Sequence, residues 1–449
     1  MKYDLILKNA TALIPTHPQD LRQRSNLIKE KIDIGISQGK ISELGHISPH
    51  QGLKVLDLNN LIILPGIIDS QVHFREPGLT HKEDLESGTR AALLGGVTTI
   101  FEMPNTSPST TTKELFLDKL DRAKNRCHTN YAFYIGASEE NADQLSQLES
   151  LPHCCGVKVF MGSSTGSLLV EDDTLLETIL KNTQKRLVVH CEDEQRLKER
   201  KSLLQDHPTV ALHPLWRDPI TSYNAVKRLV TLAENLNRKV HVLHVTCQEE
   251  VEYLAHHRRT ASVEVLPQHL TLFAPECYER LGTKAQQNPP IREKNHQEAL
   301  WKALTSGVID VIGSDHAPHT LEEKARPYPQ TPSGMPGVQT LLPIMLNHVH
   351  NNKLSLEKLT ALLTENVRDV FNIQNKGRIQ IGFDADFTII DPKKERRIEN
   401  NWIQSKSKWT VFDGMKVTGW PMISIINGTI CMQEDEILIP NSGTGTNFA

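Results

Sequence analysis

None of the seven cysteines (Cys127, Cys154, Cys155, Cys191, Cys247, Cys277 and Cys431) stands in a C-x-x-C pair, and an odd set cannot close completely into disulfides. A disulfide-stapled secreted scaffold is thereby excluded, and a reducing cytoplasm is the expected compartment. Long apolar runs are missing too: nothing in the chain approaches the roughly 18 residues that a membrane span needs. Nor is there a basic excess, since 50 Lys and Arg face 54 Asp and Glu for a formal net charge of -4. That balance carries no footprint for nucleic acid or an anionic membrane, and it suits an enzyme acting on small molecules. No segment repeats another in sequence. At 449 residues the chain can form one large α/β barrel with a small satellite domain.

Both ends read as short strands set off by Gly, Pro, Asn and Asp, at residues 3–7, 32–36 and 54–58 and again at 387–390, 409–412 and 423–430. The polar, glycine-rich residues 441–449 read as a mobile tail. Between the ends, eight runs rich in Val, Ile and Leu recur at residues 61–68, 97–103, 131–135, 157–160, 187–189, 240–243, 263–266 and 308–312. Stretches of helical composition such as 175–181 and 224–235 separate them. Continuous apolar strands alternating with helices predict a parallel sheet buried on both faces, and eight such units close a barrel. The expected fold is α/β: a (β/α)8 TIM-type barrel over residues 57–369, with a small β-sandwich domain formed by residues 1–56 and 370–449.

The polar residues of chemical interest fall at the ends of these runs. IIDSQVHFREPG, residues 67–78, carries Asp69 and His73, the residue types a divalent cation prefers, and Arg75, the natural fork for a carboxylate or phosphate oxygen. Position 71 shares a face with His73 in an extended chain, and where a second ligand would belong it holds Gln. Further on, Asn105 follows the second run, Lys158 lies in GVKVFMG, His190 ends RLVVH, His244 ends VHVLH, His269 follows VEVLP and Asp315 ends VIDVIGSD. A barrel gathers all these strand ends at one mouth. His73, His190, His244 and Asp315 would then form a nitrogen-rich cation site of the kind zinc uses, with Asp315 also able to act as a base. An ammonium cannot ligate, but a lysine desolvated in such a mouth loses its proton more easily and can take up CO2, so Lys158 could become an anionic carbamate bridge. Taken singly, a strand-end histidine is more often a hydrogen-bonded core group, Arg75 and Glu76 could be a plain rim ion pair, and Cys191 and Cys247 are small buried fillers. The joint pattern of His and Asp at successive strand ends reverses that balance.

IIDSQVHFREPG, FEMPNTSPST, GVKVFMGSSTG, VVHCED, HVLHVT, QNPPIR and GSDHAPH together resemble the dihydroorotases, a class of metal-dependent cyclic amidohydrolases. The resemblance extends over most of the chain, to KGRIQIGFDADFTIID near its end. It implies that His73, carboxylated Lys158, His190, His244 and Asp315 hold one or two zinc ions. It also implies that Arg75, Asn105 and His319 bind a ring carboxylate, with Asn288 touching the ring. The implied reaction is the reversible interconversion of N-carbamoyl-L-aspartate and (S)-dihydroorotate in pyrimidine synthesis, with Asp315 as general acid and base. The family habit adds a homodimer, while cysteine usage and charge balance point to the cytoplasm with no nucleic-acid or membrane partner.

Most family members have His where this chain has Gln71, and His-His where it has Gln268 and His269. Glutamine offers zinc a weaker, harder oxygen. The expectation is one zinc on carboxylated Lys158, His190 and His244, with His73 and Asp315 completing a weaker second position. The D-x-Q-x-H pattern is similar to that of some dihydroorotases. Two alternatives compete: a non-catalytic dihydroorotase-like scaffold for aspartate carbamoyltransferase, and a hydantoinase- or allantoinase-type enzyme acting on rings without the carboxylate. A pure scaffold gains nothing from a buried lysine and histidines in a barrel mouth. The Pro- and Gly-rich residues 320–340 read as a rim loop that either closes over substrate or stays fixed.

Overall fold

The computed structural model describes residues 2–16, 26–163 and 168–449, so the end of the GVKVFMGSSTG motif, residues 164–166, lies outside the described residues. Five strands come first: β1 (Tyr3–Pro15), β2 (Leu27–Ser37), β3 (Lys40–Gly45), β4 (Gly52–Asp57) and β5 (Ile62–Pro65). Eight more alternate with helices: β6 (Ile67–Val72), β7 (Val97–Glu102), β8 (Asn130–Gly136), β9 (Cys154–Phe160), β10 (Leu187–His190), β11 (Val240–Val242), β12 (Ala261–Val265) and β13 (Val311–Ile312). The last four are β14 (Phe387–Arg397), β15 (Lys416–Ile426), β16 (Thr429–Gln433) and β17 (Glu436–Ile437). β6 to β13 are neighbours in chain order and parallel, the expected eight-stranded barrel. The remaining nine make one sheet, in which β14 runs antiparallel to β5 and so unites the two ends of the chain.

Every residue of β6 to β13 is buried, as strands with helices outside and a filled interior require. Ile68, Phe101, Tyr134, Val188, Leu243 and Val311 fill the interior together with Phe371 of the helix Glu365–Phe371. Outside, helix Pro219–Asn235 shows how a wall is made: Asp218 caps it, Pro219 opens it, and Ala225, Val226, Leu229, Val230 and Ala233 form its inward stripe. Most of the interior is apolar, with one buried polar cluster of Ser70, His241, Ser262 and Glu264 within it, and the candidate site residues stand toward the C-terminal strand ends.

The barrel closes between its first and last strands through Asp69. Its Oδ1 accepts the backbone N–H of Gln71 at 3.2 Å and of Ser314 at 3.1 Å, while Val72 bridges His316 alongside. Asp69 is therefore a stitch in the seam, and the cation-ligand reading of its residue type is corrected.

Three other expectations are also revised. The run 61–68 is broken at Gly66, whose N–H donates to Asp386 O at 2.8 Å; β5 goes to the nine-stranded sheet and only the part from Ile67 enters the barrel. Residues 409–412 form no strand: Trp409, Val411 and Phe412 pack in the core shared with the nine-stranded sheet, and Trp409 donates its indole N–H to His319 O at 2.8 Å. The tail at 441–449 is docked: Thr444 O and the Thr446 N–H pair with Tyr131 at 3.0 and 2.9 Å, and Phe448 packs edge-on against Phe101. Among the described residues no helix is long and apolar enough to cross a membrane.

Candidate active site

The C-terminal ends of the barrel strands surround a small, polar cavity. Gln71, His73, Arg75, Asn105, Lys158, Phe160, His190, His244, Asn288, Asp315, Ala317, Ser333 and Gly334 line it. Of the nine candidate site residues from the sequence, eight reach this wall, drawn from loops and strands up to 242 positions apart between His73 and Asp315. His319 does not. It lies buried behind Arg75, with Nε2 donating to Ser333 O at 3.0 Å and Nδ1 facing the Lys82 ammonium at 3.1 Å.

Three wall residues hold left-handed backbone: Arg75 at φ 64°, His244 at φ 38° and Asp315 at φ 46°. Such conformations cost about 1–3 kcal/mol each and survive where the surroundings impose them. Here each turns a strand end so that its side chain enters the mouth. Gly78 plays the matching part for the FREPG loop at φ 90°, where a Cβ would stand 2.0 Å from Ser107 O. The backbone of residues 77 and 107 is thereby pressed together, with Ser107 N–H donating to Pro77 O at 3.1 Å, and Arg75 is brought beside Asn105.

Two facing pairs, His73 with Asp315 and His190 with His244, stand around Lys158. His73 places Nδ1 2.7 Å from Asn105 Oδ1, so that nitrogen carries the proton and Nε2 is left as a lone pair. That lone pair faces Asp315 Oδ1 at 3.1 Å, a second acceptor, and burial lowers the His73 pKa, which favours the neutral ring. Opposite, His190 gives its Nε2–H to Glu192 Oε2 at 2.9 Å, which turns Nδ1 toward His244 Nε2 at 3.1 Å. His244 Nδ1 is buried without a hydrogen-bond partner. Burial works against the Glu192 carboxylate, yet the Arg217 guanidinium and His190 hold it at about 2, so it stays an anion.

Lys158 is buried in the wall, its ammonium 4.4 Å from the Phe160 ring centre, and desolvation pushes its pKa down to about 7. Among the described residues no three His, Cys, Asp or Glu side chains converge to hold an ion by themselves. Yet the donor set fits zinc. Ligand atoms about 2.0–2.1 Å from a tetrahedral zinc stand about 3.3 Å from one another, close to the two facing separations seen here. The group lacking is an anion between the pairs, where Lys158 lies.

Gln71 lines the cavity, and its Nε2 donates to Asp315 Oδ1 at 3.0 Å while Oε1 has no hydrogen-bond partner. Gln268 donates to Ser314 O at 3.0 Å, and His269 meets Gln287 away from the wall. Glu76 pairs with Arg126 at 2.8 Å and accepts the Leu85 N–H at 3.0 Å, so no rim ion pair forms with Arg75. All seven cysteines are free and buried, and burial raises the thiol pKa of Cys191 and of Cys247. Glu192 was legible in VVHCED, because a carboxylate two residues past a strand-end histidine can reach the same ring. Ser333 and Gly334 had no such signal, since a loop fold brings them to the mouth.

A profile of the amidohydrolase family matches residues 62–431. The dihydroorotase of Methanosphaera stadtmanae is 33% identical over 390 residues, 85% of this chain and 88% of that one. That of Methanosarcina acetivorans is 33% identical over 435 residues, 94% of this chain and 92% of that one. Among solved structures, the L-hydantoinase (dihydropyrimidinase) of Arthrobacter aurescens superposes with a TM-score of 0.91 at 26% identity, covering 99% of both chains. The dihydropyrimidinase of Brevibacillus agri shares the fold with a TM-score of 0.89 at 24% identity, again over 99% of both chains. An eight-stranded barrel with a sheet built from both chain ends, a mouth of paired histidines around a buried lysine and a match over 62–431 lead to one conclusion: the chain belongs to the amidohydrolase family.

Proposed function

We propose that the chain is a dihydroorotase, which reversibly closes N-carbamoyl-L-aspartate to (S)-dihydroorotate in pyrimidine synthesis. One observation carries the choice of substrate. Arg75 is buried in the cavity wall, and among the described residues no carboxylate lies within ion-pair distance of it. Desolvation lowers its pKa only to about 10, so it remains a cation. Asp315, Glu102, Glu323 and Glu83 act on it only from beyond ion-pair distance, and a substrate carboxylate that takes two of its N–H groups would give the buried guanidinium a direct partner. The curated relatives that are 33% identical to this chain bear the dihydroorotase name, which supports the same reading.

Lys158 in its carboxylated form, with His190 and His244, would hold zinc, and His73 with Asp315 would complete a second position. Zinc there would polarise the scissile carbonyl and make the attacking water more acidic. A pKa near 7 leaves much of Lys158 as free amine, whose nitrogen adds to the carbon of CO2 and releases a proton. Glu192 fixes the His190 ring and its tautomer. Asp315, steadied by Gln71, takes a proton from the attacking water and returns it to the departing ring nitrogen; ring closure runs these transfers backwards.

A hydantoinase-type activity is the second reading, favoured by the 0.91 superposition on the Arthrobacter aurescens enzyme. Arg75→Ala separates the two. On our reading it lowers kcat/KM for dihydroorotate by 100-fold or more; near-normal turnover of 5-substituted hydantoins by this variant and by the unaltered enzyme favours the second.

A further inference from the structure

Asn288 brings a carboxamide to the cavity wall, and such a group can present either an oxygen acceptor or an N–H2 donor. Which one it presents is decided outside the cavity, by His213. This residue is completely buried, in a short helix between β10 and β11, whereas Asn288 comes from the excursion between β12 and β13. His213 Nε2 lies 2.9 Å from Gln287 O and 3.0 Å from Asn288 Oδ1. A backbone carbonyl only accepts, so Nε2 carries the proton and shares it between the two oxygens. On the other side of the ring, Nδ1 accepts from the Tyr328 hydroxyl at 3.3 Å, which is the arrangement of the neutral ring. Tyr328 is itself buried, with its ring edge-on to His213.

We infer that His213 is a positioning residue: it holds Asn288 by Oδ1, so that the amide N–H2 faces the cavity as a donor for a carbonyl oxygen of a cyclic amide or ureide. The inference rests on the proposal that the cavity takes such rings, and adds which hydrogen-bonding face the ring must show. Burial keeps the His213 ring neutral well below pH 6, so the relay Tyr328 to His213 to Asn288 keeps one polarity across the working range. A ring that offers an N–H at this point meets a donor and is rejected, because two donors leave each other unpaired in a closed space.

A double-mutant cycle tests it on the zinc-loaded full chain, using dihydroorotate and 5-substituted hydantoins. H213L raises KM roughly tenfold with a smaller change in kcat, the value of one lost hydrogen bond, and H213Q, which can return an N–H to the same place, recovers most of it. In the N288A background H213L adds little, because its effect runs through Asn288. An equal penalty with and without Asn288 overturns the inference, as does a crystal structure of H213L in which the carboxamide keeps its orientation. Turnover of hydantoins alone, with the cycle still coupled, sinks the dihydroorotase reading and leaves His213 in its role; the crystal structure decides the role even for a protein that turns over neither.

Discussion

Gln71 donates its amide N–H to Asp315 Oδ1 at 3.0 Å, the same oxygen that stands 3.1 Å from His73 Nε2. Gln71 thus holds in place the carboxylate to which we assign the proton transfer. Gln71→Ala removes that donor and leaves a buried oxygen short of a partner, a loss of about 1–3 kcal/mol. The expected outcome is a drop in kcat of roughly tenfold to 100-fold with zinc content unchanged, read by steady-state kinetics beside metal analysis. Loss of zinc in parallel would show Gln71 to be a ligand.

Lys158→Ala removes the group proposed to become an anion between the two facing pairs, His73 with Asp315 and His190 with His244. Zinc bound per chain after gel filtration should fall to less than half, and small carboxylic acids such as acetate should restore part of it by filling the vacated space. Full zinc retention without added acid contradicts a bridging carbamate.

Gly78→Ala places a Cβ where Ser107 O stands 2.0 Å away, on backbone already in the left-handed region. Neither backbone can retreat without opening the Ser107 N–H to Pro77 O bond that ties the loop carrying Arg75 to the loop carrying Asn105. A cost above about 3 kcal/mol is expected by urea unfolding, with the folded fraction showing weakened dihydroorotate binding.

Acid should unfold the protein early. Burial holds His213, His241, His269 and His319 neutral, each with a pKa near about 3. Their folded pKa values lie below the unfolded value of about 6.5. The stability they contribute is therefore complete above that value and is lost as pH falls toward 3. Each group adds up to about 1.4 kcal/mol per pH unit in this window. Unfolding free energies between pH 7 and 4 should fall steeply, and His241→Gln should flatten the curve by about one proton; a flat profile in the unaltered protein refutes the assignment.

The barrel was legible because its strands are continuous apolar runs whose burial needs no partner to be specified, and because all but the third end on or near a residue with a chemical use. His73, Lys158, His190, His244 and Asp315 could be read in that way one strand at a time. Misreadings arose where a distant partner decides the outcome. Asp386 takes the N–H of Gly66 and splits one apolar run between two sheets. Tyr131 and Phe101 hold a tail whose composition reads as mobile. Asp69 looks like a ligand until Ser314 is seen to donate to it across the seam. The role of His213 depends on hydrogen bonds to residues 74 and 75 positions away, which no local spacing encodes, whereas the contact of Glu192 with His190 is local.

The central claim is that Arg75 awaits a substrate carboxylate. The most direct measurement compares kcat/KM of the zinc-loaded enzyme for dihydroorotate and for dihydrouracil, the same ring without that carboxylate. A preference of at least 100-fold for dihydroorotate is predicted, the value of about 2.7 kcal/mol expected from a charge-assisted, two-pronged contact. Equal rates on the two rings, or turnover of dihydrouracil alone, would contradict it.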